Sequence, residues 1–381
     1  MNKYLLTILK ITTQLTVMSP VLYFYFVDLE SAGNYLKWAP LFSVLIELSA
    51  FEWVKIAVLK ERIGKDELIF RRKAIFISYL ISFFAILYLL DARETVLVIT
   101  CLLLPLMSQH YVDTYSLPER INKNERRFHK RFVAKSLIID ILIPIFVMFS
   151  LIMGFESYLY PITILGYLTL FTMTIWVYSN ILNYSKDHKF DESYINIYFY
   201  ALLKRLDSQS LRLTMAFFLP EKILGQLVPI TLISRGINVV GNFTNYLLLH
   251  RNNEITTRYL KNIVVVPCLI ILPIIISISA HTIFNYVGLY EFNIYYASVM
   301  LSLNISAVVK LFIRGVRLRA GKIRDIFSTL VVNILLKGSV FSLVFFIDQR
   351  FALLAIIYMA VEIVYESHVA KRLTINEHIK N

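Results

Sequence analysis

The sequence predicts an all-α integral membrane protein of about twelve transmembrane helices, arranged as two parallel six-helix bundles at residues 1–190 and 191–381, with both termini cytoplasmic. Three observations carry this. Apolar residues make up 57% of the 381-residue chain and charged residues 17%, with a mean hydropathy of +0.64, whereas a soluble chain carries about a quarter charged residues. The apolar stretches recur at lengths that cross about 30 Å of hydrocarbon. The lysines and arginines fall in short clusters between those stretches, alternately dense and sparse.

Taken in order, the apolar windows lie at 4–27, 36–59, 74–91, 95–112, 133–154, 158–183, 198–219, 223–249, 262–284, 292–313, 325–347 and 351–370. The first lacks a small-residue cleavage site and stays apolar to Val27, so it reads as a retained span and not a signal peptide. The seventh is the weakest, because Lys204, Arg205 and Asp207 lie in its first turns. With the N-terminus inside, 26 of the 39 lysines and arginines fall in cytoplasmic segments and four outside, at Lys37, Arg93, Lys222 and Arg350. One missed span would scramble that asymmetry, which is the positive-inside pattern. The net charge of +13 therefore belongs to anionic headgroups, and nucleic acid is not a partner.

The expected outer connections are short, around Ser31 to Tyr35, Ala92 to Glu94, Phe155 to Ser157, Pro220 to Lys222, Val287 to Glu291 and Asp348 to Arg350. None is large enough to fold as a catalytic domain. Cys101 and Cys268, the two cysteines, both lie in apolar spans, so neither a disulfide framework nor a metal site is expected. No Walker, HExxH or GxSxG pattern occurs, and no cofactor is implied. The turns FVDLESAGNYLKWAP (Phe26 to Pro40) and FLPEKILGQLVP (Phe218 to Pro229) share a glutamate, then a glycine, then a proline. They lie half a chain apart and run in the same direction, which fits duplicated halves related by an axis along the membrane normal.

Charged residues inside the windows are the functional candidates, because an ionisable group in hydrocarbon is costly. Arg212 and Arg235 sit 8 and 15 residues on either side of Pro220 and are read as lying at similar depth near mid-membrane. Neither has a carboxylate at its depth in that hairpin. The planar guanidinium suits phosphate oxygens, and two of them suit a pyrophosphate. Lys10, beside the polar run Thr12, Thr13 and Gln14, and Lys337 extend this anion-binding set, although Lys337 and Glu362 are also equally far from the turn at Gln349 and suit a structural pair. Glu52 and Lys55 neutralise each other at i,i+3 spacing. Lys135, Lys204, Arg205, Lys310 and Glu366 are near enough to the cytoplasmic edge to snorkel. Asp140 and Glu47 have the least obvious partners and are candidates for exchanging H+ or Na+, the alternative being hydrogen bonds to nearby hydroxyls. Asp207 joins them as a third carboxylate, with local neutralisation of Arg205 as its other reading.

Three segments, LESAGNY with the following SVLIEL, LDSQSLRLTMAFFLPEKILGQ, and YVGLYEFNIYYASVMLSLN, resemble the polysaccharide flippases of the multidrug/oligosaccharidyl-lipid/polysaccharide exporter superfamily. The likeness is to Wzx-type O-antigen and capsule repeat-unit transporters with a MATE-like fold. The resemblance implies a V-shaped pair of bundles around a cationic cavity in a bacterial inner membrane. It implies a transporter and not an enzyme, which carries an undecaprenyl-pyrophosphate-linked oligosaccharide to the outer leaflet by alternating access. Arg212 and Arg235 fall where the pyrophosphate would be held. Relatives with several arginines in the first two helices differ from this chain, which has only Lys10 and Lys55 there. The implied partners are the lipid-linked oligosaccharide, the bilayer, and the polysaccharide polymerase and chain-length proteins. Two other readings are a drug or small-molecule antiporter of the same fold, which calls for an acidic cavity, and an oligosaccharide polymerase, which calls for large outer loops.

Overall fold

The structure, a computed structural model, describes residues 12–50, 64–122, 125–182, 193–235, 265–286, 293–319, 323–347 and 352–380, together with residue 9. Among these, every regular element is a helix and no strand occurs. Four stretches, Lys65–Leu89, Ala92–Tyr115, Arg127–Ile152 and Glu156–Ile181, are long and apolar enough to cross a membrane. The chain divides into two compact units, Met1–Arg205 and Leu206–Asn381.

In the first unit, α1 (Ser19–Val27) is followed after Asp28 by α2 (Leu29–Ala50). The loop expected around Ser31 to Tyr35 is therefore helical. Asp28 explains the difference, because its carboxylate accepts from the Ser31 amide at 3.3 Å and from the Ser31 hydroxyl at 2.6 Å, so the helix restarts within one residue. Next comes α3 (Lys65–Leu89), which begins well before the expected window and buries Glu67 and Arg71. Arg71, expected in a cytoplasmic loop, is thus part of a helix face.

The next two membrane-length helices each contain a π-turn. The first comprises α4 (Ala92–Val98), a π-turn at Ile99–Leu103 and α5 (Leu104–Tyr115). After the short α6 (Leu117–Ile121), the second comprises α7 (Glu125–Leu137), a π-turn at Ile138–Leu142 and α8 (Ile143–Ile152). In both, a proline stands two residues past the π-turn, Pro105 or Pro144. Proline removes an amide donor and crowds the carbonyl four residues back, and a widened turn relieves both. The Leu104 and Ile143 amides accordingly bond five residues back, to the Ile99 and Ile138 carbonyls.

A sharp turn at Gly154 leads into α9 (Glu156–Ile181). Gly154 has φ +77, the left-handed conformation that closes a helix, and the Phe155 amide reaches back to the Ser150 carbonyl at 2.9 Å. At this end of the unit Arg93 joins three turns, lying 3.5 Å from Asp28 and donating to Glu156 at 3.0 Å. Tyr25, Tyr35, Tyr79, Tyr167 and Tyr178 fill the interior, whereas Phe84, Phe146, Leu165 and Trp176 face outward, the distribution a lipid solvent imposes.

The division between the two units falls inside α10 (Ser193–Phe218). The second unit continues with α11 (Glu221–Gln226), a helical run at 228–235, α12 (Val265–Tyr286), α13 (Ile294–Arg319), α14 (Ile323–Phe346) and α15 (Ala352–Lys380). Here α13 packs against α12 and α15, and α14 packs against α15.

Two outcomes test these turns. A Cβ at Gly154 meets nothing within 4 Å, so Gly154→Ala costs only backbone strain and lowers stability by about 1–2 kcal/mol, read by thermal unfolding in detergent. At Asp28, the Ser31 hydroxyl bond holds the carboxyl below its ordinary 3.8, with burial working against it. A depressed value stabilises above the unfolded value and is lost as pH falls through the folded one. Acid below about pH 4 therefore loosens the α1–α2 junction, and Asp28→Asn removes this acid dependence from the unfolding curve.

Candidate functional site

The second unit carries a set of buried and half-buried polar and charged side chains on four helices. α10 supplies Asp207 and Arg212, α13 supplies Asn304 and Lys310, α14 supplies Asn333 and Lys337, and α15 supplies Glu362 and Glu366. Asn333 with Lys337, and Glu362 with Glu366, are at i,i+4 spacing and so share one helix face. Lys337 Nζ bonds Asp207 Oδ1 and lies 3.1 Å from Glu362 Oε1. Lys310 Nζ donates to both Glu362 oxygens at 2.8 and 2.9 Å and lies 3.8 Å from Asp207 Oδ2. Asn333 Nδ2 adds a bond to Glu362 Oε1 at 3.0 Å. The result is a ring in which two ammonium groups alternate with two carboxylates, and none of the four side chains is more than 4% exposed.

Counted at 1.5 Å per residue from the near ends of their helices, Lys337, Glu362 and Asp207 lie about 14–17 Å deep, half the thickness of a hydrocarbon core. Separate burial of any of these charges would cost several kcal/mol. Alternation lets each ammonium offset two carboxylates, and the ring as a whole is neutral.

This placement revises several expectations. The Lys337–Glu362 pair forms, with Asp207 as its third member. Lys310 was expected to snorkel and is instead 3% exposed in the ring, and Glu366 is 1% exposed. The side chain of Arg205, the other partner expected for Asp207, lies outside the described residues. Arg212 lies six residues before the end of α10, and Arg235 lies beyond the break at Leu227 that separates α11 from the run 228–235. Arg212 is half-buried and donates to Asn304 Oδ1 at 3.4 Å. Asn304 Nδ2 in turn donates to the Met300 carbonyl at 2.7 Å, which fixes the orientation of its amide. Arg235 is half-buried at the described end of the run 228–235. Lys10 and the side chain of Glu47 lie outside the described residues.

In the first unit, Asp140 has a partner that α-helical spacing does not reveal. Lys135 Nζ donates to Asp140 Oδ2 at 2.7 Å. Positions i and i+5 on an α-helix point about 140° apart, and the π-turn that begins at Ile138 narrows that angle. Nearby, Tyr79 and His110 share a hydrogen bond at 3.0 Å, and Tyr167 donates to the Tyr79 carbonyl at 2.7 Å. Among the described residues no group of three or more His, Cys, Asp or Glu is placed to hold a metal ion.

Compared with protein families, with curated proteins and with solved structures, the chain finds no match in any of the three. The reading of the site therefore rests on its own geometry.

Removing one member of the ring leaves a buried carboxylate uncompensated. Lys337→Met is expected to destabilise the chain by about 3–5 kcal/mol. The double variant Asp207→Asn/Lys337→Met recovers most of that loss, because charge leaves in a balanced pair. Thermal unfolding of purified wild type, single and double variants gives the comparison.

Proposed function

We propose that the chain is a membrane flippase for polyprenyl-pyrophosphate-linked oligosaccharides, with Arg212 as the ligand for the phosphate head group. The observation that carries this reading is Arg212 itself. It is a half-buried cation of the second unit that donates to the Asn304 amide oxygen at 3.4 Å. A charge maintained in apolar surroundings is by default functional, and a guanidinium offers a fork of donors to phosphate oxygens.

The two arginines, one on each side of the Pro220 turn, engage a pyrophosphate in turn, which keeps each contact weak enough for release. The ring keeps the helices carrying Arg212 and Asn304 in register, so the part of Lys337 in this scheme is support for the site. Twelve spans, cytoplasmic termini and residence in a bacterial inner membrane complete the proposal, with the dense basic clusters between apolar windows in its support. The work of the site is to replace water around a charged head group while the polyprenyl tail stays in lipid, so no catalytic group is called for.

The test is translocation of a labelled undecaprenyl-pyrophosphate oligosaccharide in proteoliposomes. Loss of one charge-assisted contact in Arg212→Ala lowers the rate about 10- to 100-fold with insertion unchanged, and Arg235→Ala gives a separate, smaller loss. Undiminished transport in Arg212→Ala overturns the assignment of the ligand. Absence of glycan transport together with uptake of cationic dyes overturns the flippase reading in favour of an antiporter.

A further inference from the structure

We propose that Asp140 is a proton-binding carboxylate of the first unit, with Lys135 as its built-in competitor and the π-turn at Ile138–Leu142 as the element that responds. This rests on reading the chain as a transporter, and it names the coupling ion.

Four observations meet at this site. Asp140 is 5% exposed. Its Oδ2 is taken by Lys135 at 2.7 Å, while its Oδ1 is buried and accepts no hydrogen bond among the described residues. A buried carboxylate oxygen without a donor is rare in a settled structure and calls for an explanation. A second occupant of the carboxylate, present for part of a cycle, supplies one. The contact is also confined to one backbone form, because Lys135 and Asp140 face each other only across a π-turn. When a proton binds Oδ1, the carboxyl becomes neutral and Lys135 loses its ion pair. Nothing then favours the wide turn over the ordinary helix except Pro144, and Lys135 carries its charge toward the cytoplasmic end of α7. The proton returns to water when the pair re-forms, so charge and protons balance over the cycle.

The surroundings select a proton over a metal cation. Besides Lys135, only the Ser136 hydroxyl, one turn back, acts on the carboxylate. One carboxylate and one hydroxyl are too few oxygens for an alkali cation, and α8 contributes no titratable residue to the face. From α5, His110 lies close enough to Lys135 to feel its charge and is bonded to Tyr79 of α3. Tyr111 lies farther along α5, and Asp113 is bound to Arg120 at 3.2 Å. On α7, Arg131 is bound to Glu119 at 3.0 Å.

The experiment is infrared titration of the full chain in nanodiscs, which needs no cargo, so its failure is separate from failure of the flippase reading. Acidification is expected to produce a protonated-carboxyl band that disappears in Asp140→Asn and persists, displaced, in Asp140→Glu. In Lys135→Met the band appears about 1–3 pH units higher, because the competing charge is gone. A band unchanged by Asp140→Asn overturns the proposal, as does a Lys135→Met titration identical to wild type. A band displaced by sodium at constant pH overturns the choice of ion.

Discussion

Charge in a medium that does not solvate it dominates this structure. Two lysines and two carboxylates are buried about halfway along apolar helices, and each is tolerable only because the others are there. The ring of Asp207, Lys337, Glu362 and Lys310 draws on all four of α10, α13, α14 and α15. Such rings are weak contributors to net stability and strong constraints on arrangement, because any other register of the helices leaves a charge without its counterpart. Arg212, five residues from Asp207 on the same helix, is placed by that register. The Asn304 amide then aims its guanidinium. In this way the ring determines where the cation proposed to meet the cargo stands.

The first unit meets the same constraint by another means. Lys135 and Asp140 lie on one helix at a spacing that an α-helix cannot bring together. Pro144 makes the widened turn favourable, and the widened turn makes the ion pair. A second proline and π-turn stand on α4–α5, at Pro105, and the two irregular helices pack against each other, with α5 meeting the second π-turn and α8 meeting the first. One of the two wide turns, at Ile138–Leu142, thus carries a buried charge.

Much of the helical framework was legible from hydropathy alone. The windows at 74–91, 95–112, 133–154 and 158–183 each coincide with a helix of membrane length, though α3 and α7 begin earlier than the windows because their first turns are amphipathic and not purely apolar. The Lys337–Glu362 pair was legible because both residues are the same distance from one turn. What escaped the sequence is contact between helices far apart in the chain. Nothing in the spacing of Asp207 connects it with Lys337, and Lys310 looked like an edge lysine because only its distance from the end of its window was visible. Lys135–Asp140 escaped for the opposite reason, since the sequence was read with the α-helical period where the backbone uses a wider one. The loop expected at Ser31 to Tyr35 failed because a single capping aspartate was enough to restart the helix.

The claim at the centre of this account is that Arg212 receives an anionic lipid head group. Native mass spectrometry of the detergent-solubilised chain tests it directly, with undecaprenyl pyrophosphate and neutral undecaprenol offered in equal amounts. The account predicts that wild type retains the pyrophosphate in preference to the alcohol and that Arg212→Gln loses the preference while keeping its fold. Equal retention of the two lipids by wild type, or an undiminished preference in Arg212→Gln, would contradict it.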